Sequence, residues 1–187
     1  TGKDILNADF TLQMNSSGYN DQYVDVTTDA VGNYTLLDKN NGRLITYNSD
    51  GQHLYTFGAL GNRVGTFRAP AAVVSAEDKL LVLDSVMANI TVFSMTEYAR
   101  LIREGGLLYN QGKYAESRET WEQVIRLNSN FEFAYTQIGR ALCWEERYEE
   151  AMAYFKKGNY RGSEVFESDG YNKAFTEYRS QLLTRYM

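Results

Sequence analysis

Cysteine, proline and histidine are almost missing from this 187-residue sequence, which has one of each. A lone cysteine, Cys143, excludes an intramolecular disulfide and a multi-cysteine zinc site. Placed mid-helix, it reads as a small buried apolar residue and not as a nucleophile. The lone histidine, His53, has no acidic or cysteine neighbour in sequence, and a surface strand position is its default. No stretch approaches the 18 apolar residues of a membrane span. Runs of five like charges are absent and the net charge is −5, so the basic stripe of a nucleic-acid surface is lacking. The start, Thr-Gly-Lys-Asp, carries no signal-peptide apolar region and reads as a mature form or an excised piece of a longer protein. Three sequons, at Asn15, Asn33 and Asn89, matter only in a eukaryotic secreted chain.

Acidic usage divides what is present. Residues 1–96 hold nine Asp and one Glu, whereas residues 97–187 hold thirteen Glu and one Asp. Asp suits turns, where its side chain bonds local backbone, and Glu suits helix faces. Two domains are therefore expected, a strand-rich one over 1–96 and a helical one over 97–187.

In the first half, Tyr23–Thr28, Asn33–Asp38, Arg43–Asn48 and His53–Phe57 are short β-branched and aromatic runs. Between them stand Val31-Gly32, Asn41-Gly42 and Asp50-Gly51, the chemistry of tight hairpin turns. A shift of 46 residues lays Leu37-Asp38 on Leu83-Asp84, Leu44 on Ile90 and Tyr47 on Phe93. Repetition of a four-stranded unit at that spacing predicts propeller blades. The segment Leu37-Asp38-Lys39-Asn40-Asn41-Gly42-Arg43 and the connector Gly65–Pro70 resemble NHL-repeat propellers, with Asn89 departing from the pattern where Arg43 stands. Two blades cannot close a ring. The orphan strand Ile5–Leu12 and the missing outer strand of the second blade predict an incomplete propeller, whose open edges would let chains pair into an oligomer.

In the second half a 34-residue shift places Gly105 on Gly139, Leu108 on Leu142, Tyr114 on Tyr148, Ser117 on Ala151 and Trp121 on Phe155. Small residues let two helices approach, and the large aromatic fills the gap between pairs. The helices read as Tyr98–Asn110, Tyr114–Asn128, Phe131–Glu145 and Tyr148–Lys157, with Thr96 or Ser94 as the first N-cap. After a polar Gly/Ser loop, Tyr171–Tyr186 reads as a capping helix presenting Tyr171, Ala174, Phe175, Tyr178, Leu182 and Tyr186 on one face. The pattern resembles tetratricopeptide (TPR) repeats. Two repeats and a cap fall short of the usual three, so support from the propeller half is expected.

That resemblance implies a concave face made of Ala99, Ile102, Gly106 and Tyr109 in the first repeat and Phe133, Thr136, Arg140, Cys143 and Trp144 in the second. Read functionally, Ile102, Tyr109, Phe133, Thr136, Arg140 and Trp144 line a groove for a peptide or helix, with Arg140 meeting a carboxylate. Alternatively the same face packs on the capping helix or the propeller. Ile102 and Gly106 argue against the Lys/Asn clamp that some family members use for chaperone C-termini. Asp38 and Asp84 end strands ahead of turns and read as turn-holding residues. Glu145, Glu146, Glu149 and Glu150 around Arg147 read as a solvated helix-turn face. Gly58, Gly61 and Gly65 lack the strand-to-helix context of a phosphate loop.

The expected fold is thus an α+β composite, partial propeller followed by TPR array, acting as a non-enzymatic protein-interaction scaffold without cofactor or metal. NHL and TPR units together resemble bacterial cell-envelope proteins, which implies an extracytoplasmic place and a tether in a separate domain. The competing class is a sugar lactonase-like propeller with a divalent metal, for which Asp25 is the one candidate ligand. Carbohydrate binding, suggested by 15 tyrosines, is a third class.

Overall fold

The computed structural model describes residues 21–158 and 167–186; the expected strand Ile5–Leu12, the sequon at Asn15 and the Gly/Ser loop after Gly158 lie outside or largely outside them. The chain divides into two compact units, Thr1–Met95 and Thr96–Met187, and each is described by itself.

In the first unit β1 (Tyr23–Thr28), β2 (Tyr34–Asp38), β3 (Arg43–Tyr47) and β4 (His53–Phe57) form one antiparallel sheet in chain order. Then β5 (Pro70–Ala76), β6 (Lys79–Asp84) and β7 (Asn89–Ser94) form a second, also in chain order. Alternation along β2 and β3 sends Leu37 and Leu44, paired across the sheet, into a core with Phe67, Val73 and Val82, against which Phe57, Leu80 and Phe93 pack. Leu36, Ile45 and Tyr47 form a separate cluster with Tyr34. Thr35 and Thr46, also paired, share a buried hydroxyl hydrogen bond of 2.9 Å, which satisfies both polar groups.

The sheets are joined by side chains of β1. Val73 donates its backbone N–H to the Asp25 carboxylate at 2.7 Å, and Ser75 donates to the Thr27 hydroxyl at 2.9 Å. Edge amides of β5 thereby find acceptors that no neighbouring strand supplies.

Neither sheet closes, and this overturns the propeller expectation. The strands make two small open sheets, of four and three strands, and no ring. Turn residues and alternation dictate hairpins, which are local; closure depends on how many sheets stack and at what angle, which the 46-residue period does not encode. The second sheet leaves Val74, Leu83, Ile90 and Val92 exposed, residues that its pairing register brings onto one face.

The second unit contains α1 (Glu97–Asn110), α2 (Tyr114–Leu127), α3 (Glu132–Trp144), α4 (Tyr148–Gly158) and α5 (Glu167–Tyr186). Thr96 caps α1, its hydroxyl accepting from the Ala99 N–H at 3.2 Å. Helices adjacent in the chain pack on one another. Ala134, Ile138, Ala141 and Leu142 from α3, Trp121 and Val124 from α2, and Ala151 and Phe155 from α4 are all buried. Ser117 donates its hydroxyl to the Gly105 carbonyl at 2.8 Å, tying α2 to α1.

The expected TPR array is corrected as well. Five helices follow the sheets, giving an α+β fold with open sheets and a helical C-terminal half. A period carried by only two hairpins does not make a stacked array, which needs about three units. Nor does α5 present the expected face: Ala174 is buried while Phe175 is 47% exposed. A Cβ on Gly170 would lie 2.9 Å from the Phe155 ring, so α5 approaches α4 through the small residues Gly170 and Ala174, one turn apart. Phe175, one residue further round the helix, turns away. Among the described residues no helix is long and apolar enough to cross a membrane.

Candidate functional site: an exposed aromatic platform

α1 ends at Asn110 and α2 begins at Tyr114, so Tyr109 and Tyr114 flank the same short turn. Their rings meet edge to face, 5.3 Å between centroids. Trp144, the last residue of α3, reaches this pair. Its indole stacks on Tyr114 at 5.2 Å with 5° between planes, and its Nε1–H donates to the Tyr109 hydroxyl at 3.0 Å. Although fixed twice, Trp144 is 62% exposed. A large amphipathic ring, oriented before any partner arrives and left in water, is the usual makeup of an interface anchor.

The residue after Trp144 extends the surface into charge. Glu145 accepts from Arg118 Nε at 3.3 Å and from an Arg147 terminal nitrogen at 2.8 Å. Arg118 also pairs with Glu122 at 3.1 Å, and Arg147 grips Glu150 with two hydrogen bonds of 2.8 and 2.7 Å. Five alternating charges thus link α2, the α3–α4 turn and α4. Burial alone would lower the Arg118 pKa, but Glu145 and Glu122 outweigh it and raise it. The two hydrogen bonds from Arg147 hold the Glu150 carboxyl below its ordinary value.

The other residues expected to line a groove are placed differently. Ile102 and Thr136 are buried; a Cβ on Gly158 would lie 2.8 Å from the Thr136 hydroxyl, which puts Thr136 against the end of α4. Phe133 is half-buried, edge-on to Trp121 at 5.5 Å, and continues through Phe131 to Tyr98. Arg140 and Cys143 are half-buried and Gly106 faces open space. Burial pushes the Cys143 thiol up, against a weaker pull down from Lys173. Of the six groove residues, Tyr109 and Trp144 come together in direct contact. Tyr114, expected to serve as core signature, completes their platform; its place across a three-residue turn from Tyr109 was the signal available.

The strand-end aspartates hold turns. Asp38 accepts from the N–H groups of Gln22, Asn40 and Asn41 and from the side chains of Asn41 and Arg43. Asp84 accepts from the N–H groups of Arg68, Ala69, Val86 and Met87. Asp25 is occupied by the Val73 and Val26 amides. His53 lies on β4, its Nε2 2.8 Å from the Thr56 hydroxyl. Among the described residues no three of His, Cys, Asp and Glu come together as a metal site.

The sequence matches no protein-family model, and no curated protein matches it.

Proposed function

We propose that the chain is a non-enzymatic interaction module whose helical unit docks a peptide or protein segment on the Tyr109–Tyr114–Trp144 platform. The observation that carries this reading is the exposure of Trp144 while its ring is held by a stack and a hydrogen bond. An exposed indole of fixed orientation loses little conformational entropy on binding, so more of its contact energy appears as affinity. A flat indole favours a ring on the partner, aromatic or proline, and the flanking Arg118–Glu145–Arg147 chain offers charges of both signs at the rim.

Selection of peptides from a displayed random library on the purified chain tests this. Binders should be enriched in ring-bearing residues, and Trp144→Ala should weaken them at least about tenfold, the loss of a hot-spot residue. Phe175→Ala, which removes an exposed aromatic elsewhere, should leave them unchanged. Selected peptides that ignore Trp144, or no enrichment at all, would overturn the assignment.

A further inference from the structure

The α3–α4 turn carries a second feature that does not depend on the aromatic platform. Between this turn, the start of α4 and α5 lies an open cavity of about 660 Å³. Its volume falls within the range of small-molecule sites. Glu146 and Glu177 line it with Tyr148, Tyr178, Gln181 and Leu182, and neither lysine nor arginine contributes to its wall. Of the basic residues that adjoin lining residues in the chain, Arg147 is engaged by Glu145 and Glu150, and Arg179 is exposed and does not line the cavity. Burial first, and then the fields of Glu177 and Glu146, raise the Tyr148 phenol above its ordinary value, so both carboxylates act on the same interior. Glu146 has φ +59°, whereas Gly112, 34 residues earlier in the corresponding turn, has φ +75°. A carboxylate thus stands in a left-handed conformation that glycine adopts more readily.

We propose that this cavity binds an organic ammonium group, with Glu146 and Glu177 neutralising its charge and the Tyr148 and Tyr178 rings contacting its alkyl stem and cationic face. Carboxylates with phenol rings suit an alkylammonium better than a bare metal ion. The rings attract a cation through their faces and cover methylene groups, whereas a hard cation wants six or more oxygen ligands. The ammonium can belong to a free polyamine or to the lysine side chain of a peptide.

Calorimetric titration of the full chain with spermine and, separately, with tetralysine tests the proposal and distinguishes the two sources. At least one should bind saturably at one site below about 1 mM, with affinity falling as salt is added. The Glu146→Gln/Glu177→Gln double variant should bind at least about tenfold more weakly, as expected for lost charged hydrogen bonds. Glu104→Gln, on α1, should bind as the unaltered chain does. Both glutamates are exposed, and an unchanged circular-dichroism melt will confirm that the double variant folds. Spermine alone binding identifies a free polyamine; tetralysine binding more tightly identifies a peptide lysine. Failure of both probes, equal binding by the double variant, or equal displacement by magnesium would each overturn the proposal.

Discussion

A Cβ on Gly105 would lie 2.7 Å from Cε2 of Trp121: the side chain that α1 lacks is the space the indole of α2 fills. The same relationship recurs 34 residues later, where a Cβ on Gly139 would lie 2.8 Å from the ring of Phe155. Ring and glycine are interdependent, so a change in either one bears on the spacing of the hairpin.

Gly105→Ala is therefore expected to destabilise the helical unit by about 1–3 kcal/mol, even though alanine favours a helix by about 1 kcal/mol. Trp121→Ala should cost about 3–5 kcal/mol by leaving a cavity. Trp121→Phe should cost markedly less. It copies the second hairpin and removes an indole N–H that is buried without a partner. Urea midpoints check all three; an unchanged midpoint for Trp121→Ala would show that the ring does not hold the hairpin.

Asp25→Ala should loosen the two sheets. It strands the Val73 N–H, whose 2.7 Å bond ends on the Asp25 carboxylate, at an expected cost of about 1–3 kcal/mol. Asp25→Asn keeps an oxygen acceptor and should recover part of the loss. Hydrogen exchange at the Val73 amide gives the local readout, faster in the alanine variant and intermediate in the asparagine variant. Equal exchange in all three chains would refute the link.

The β unit should lose stability in acid through Asp84. Burial tends to raise this carboxyl, but the N–H groups of Met87, Arg68, Ala69 and Val86 together outweigh it and hold it below the ordinary 3.8. A depressed folded value means that its stabilisation is complete above the unfolded value and fades as pH falls through the folded one. Asp84→Asn should cost about 2–3 kcal/mol at pH 7 and flatten the stability profile as pH falls through and below the ordinary carboxyl value of 3.8. Parallel profiles for the two chains would place the acid sensitivity elsewhere.

Tryptophan emission should separate into two environments. Trp121 is 1% exposed and Trp144 62%, and the chain has no other tryptophan. Trp144→Phe should abolish most acrylamide quenching while changing stability by less than about 1 kcal/mol. Quenching that survives the substitution would mean Trp121 is reached by solvent.

Much of this was legible in residue order alone. Turn glycines and β-branched alternation place β1 to β4 within a residue of the segments read from them, because hairpin chemistry is settled between neighbours. The recurrence of Gly105 and Trp121 as Gly139 and Phe155 could be read from the 34-residue shift, but the rings were expected between helix pairs, and each instead fills the space beside the glycine of its own hairpin. Resemblance misled where the question became global. A blade-like period did not bring ring closure, and two TPR-like hairpins did not become an array. Asp25 was weighed as a metal ligand, yet the β5 amide that it accepts from, that of Val73, lies 48 residues away.

By itself the amino-acid order determined where the strands and helices of the described residues lie, which turns join them, and which positions repeat at 34 residues. The first two arise from interactions spanning a few residues or one helical turn. Tertiary structure alone decided that the sheets stay open, that Gly105 and Gly139 each leave room for a ring of the next helix, that Trp144 meets Tyr109 across 35 residues, and that Glu146 and Glu177 share one cavity. Such meetings depend on the angle and distance at which finished elements pack, and small residues such as Gly170 and Ala174 set these by permitting close approach.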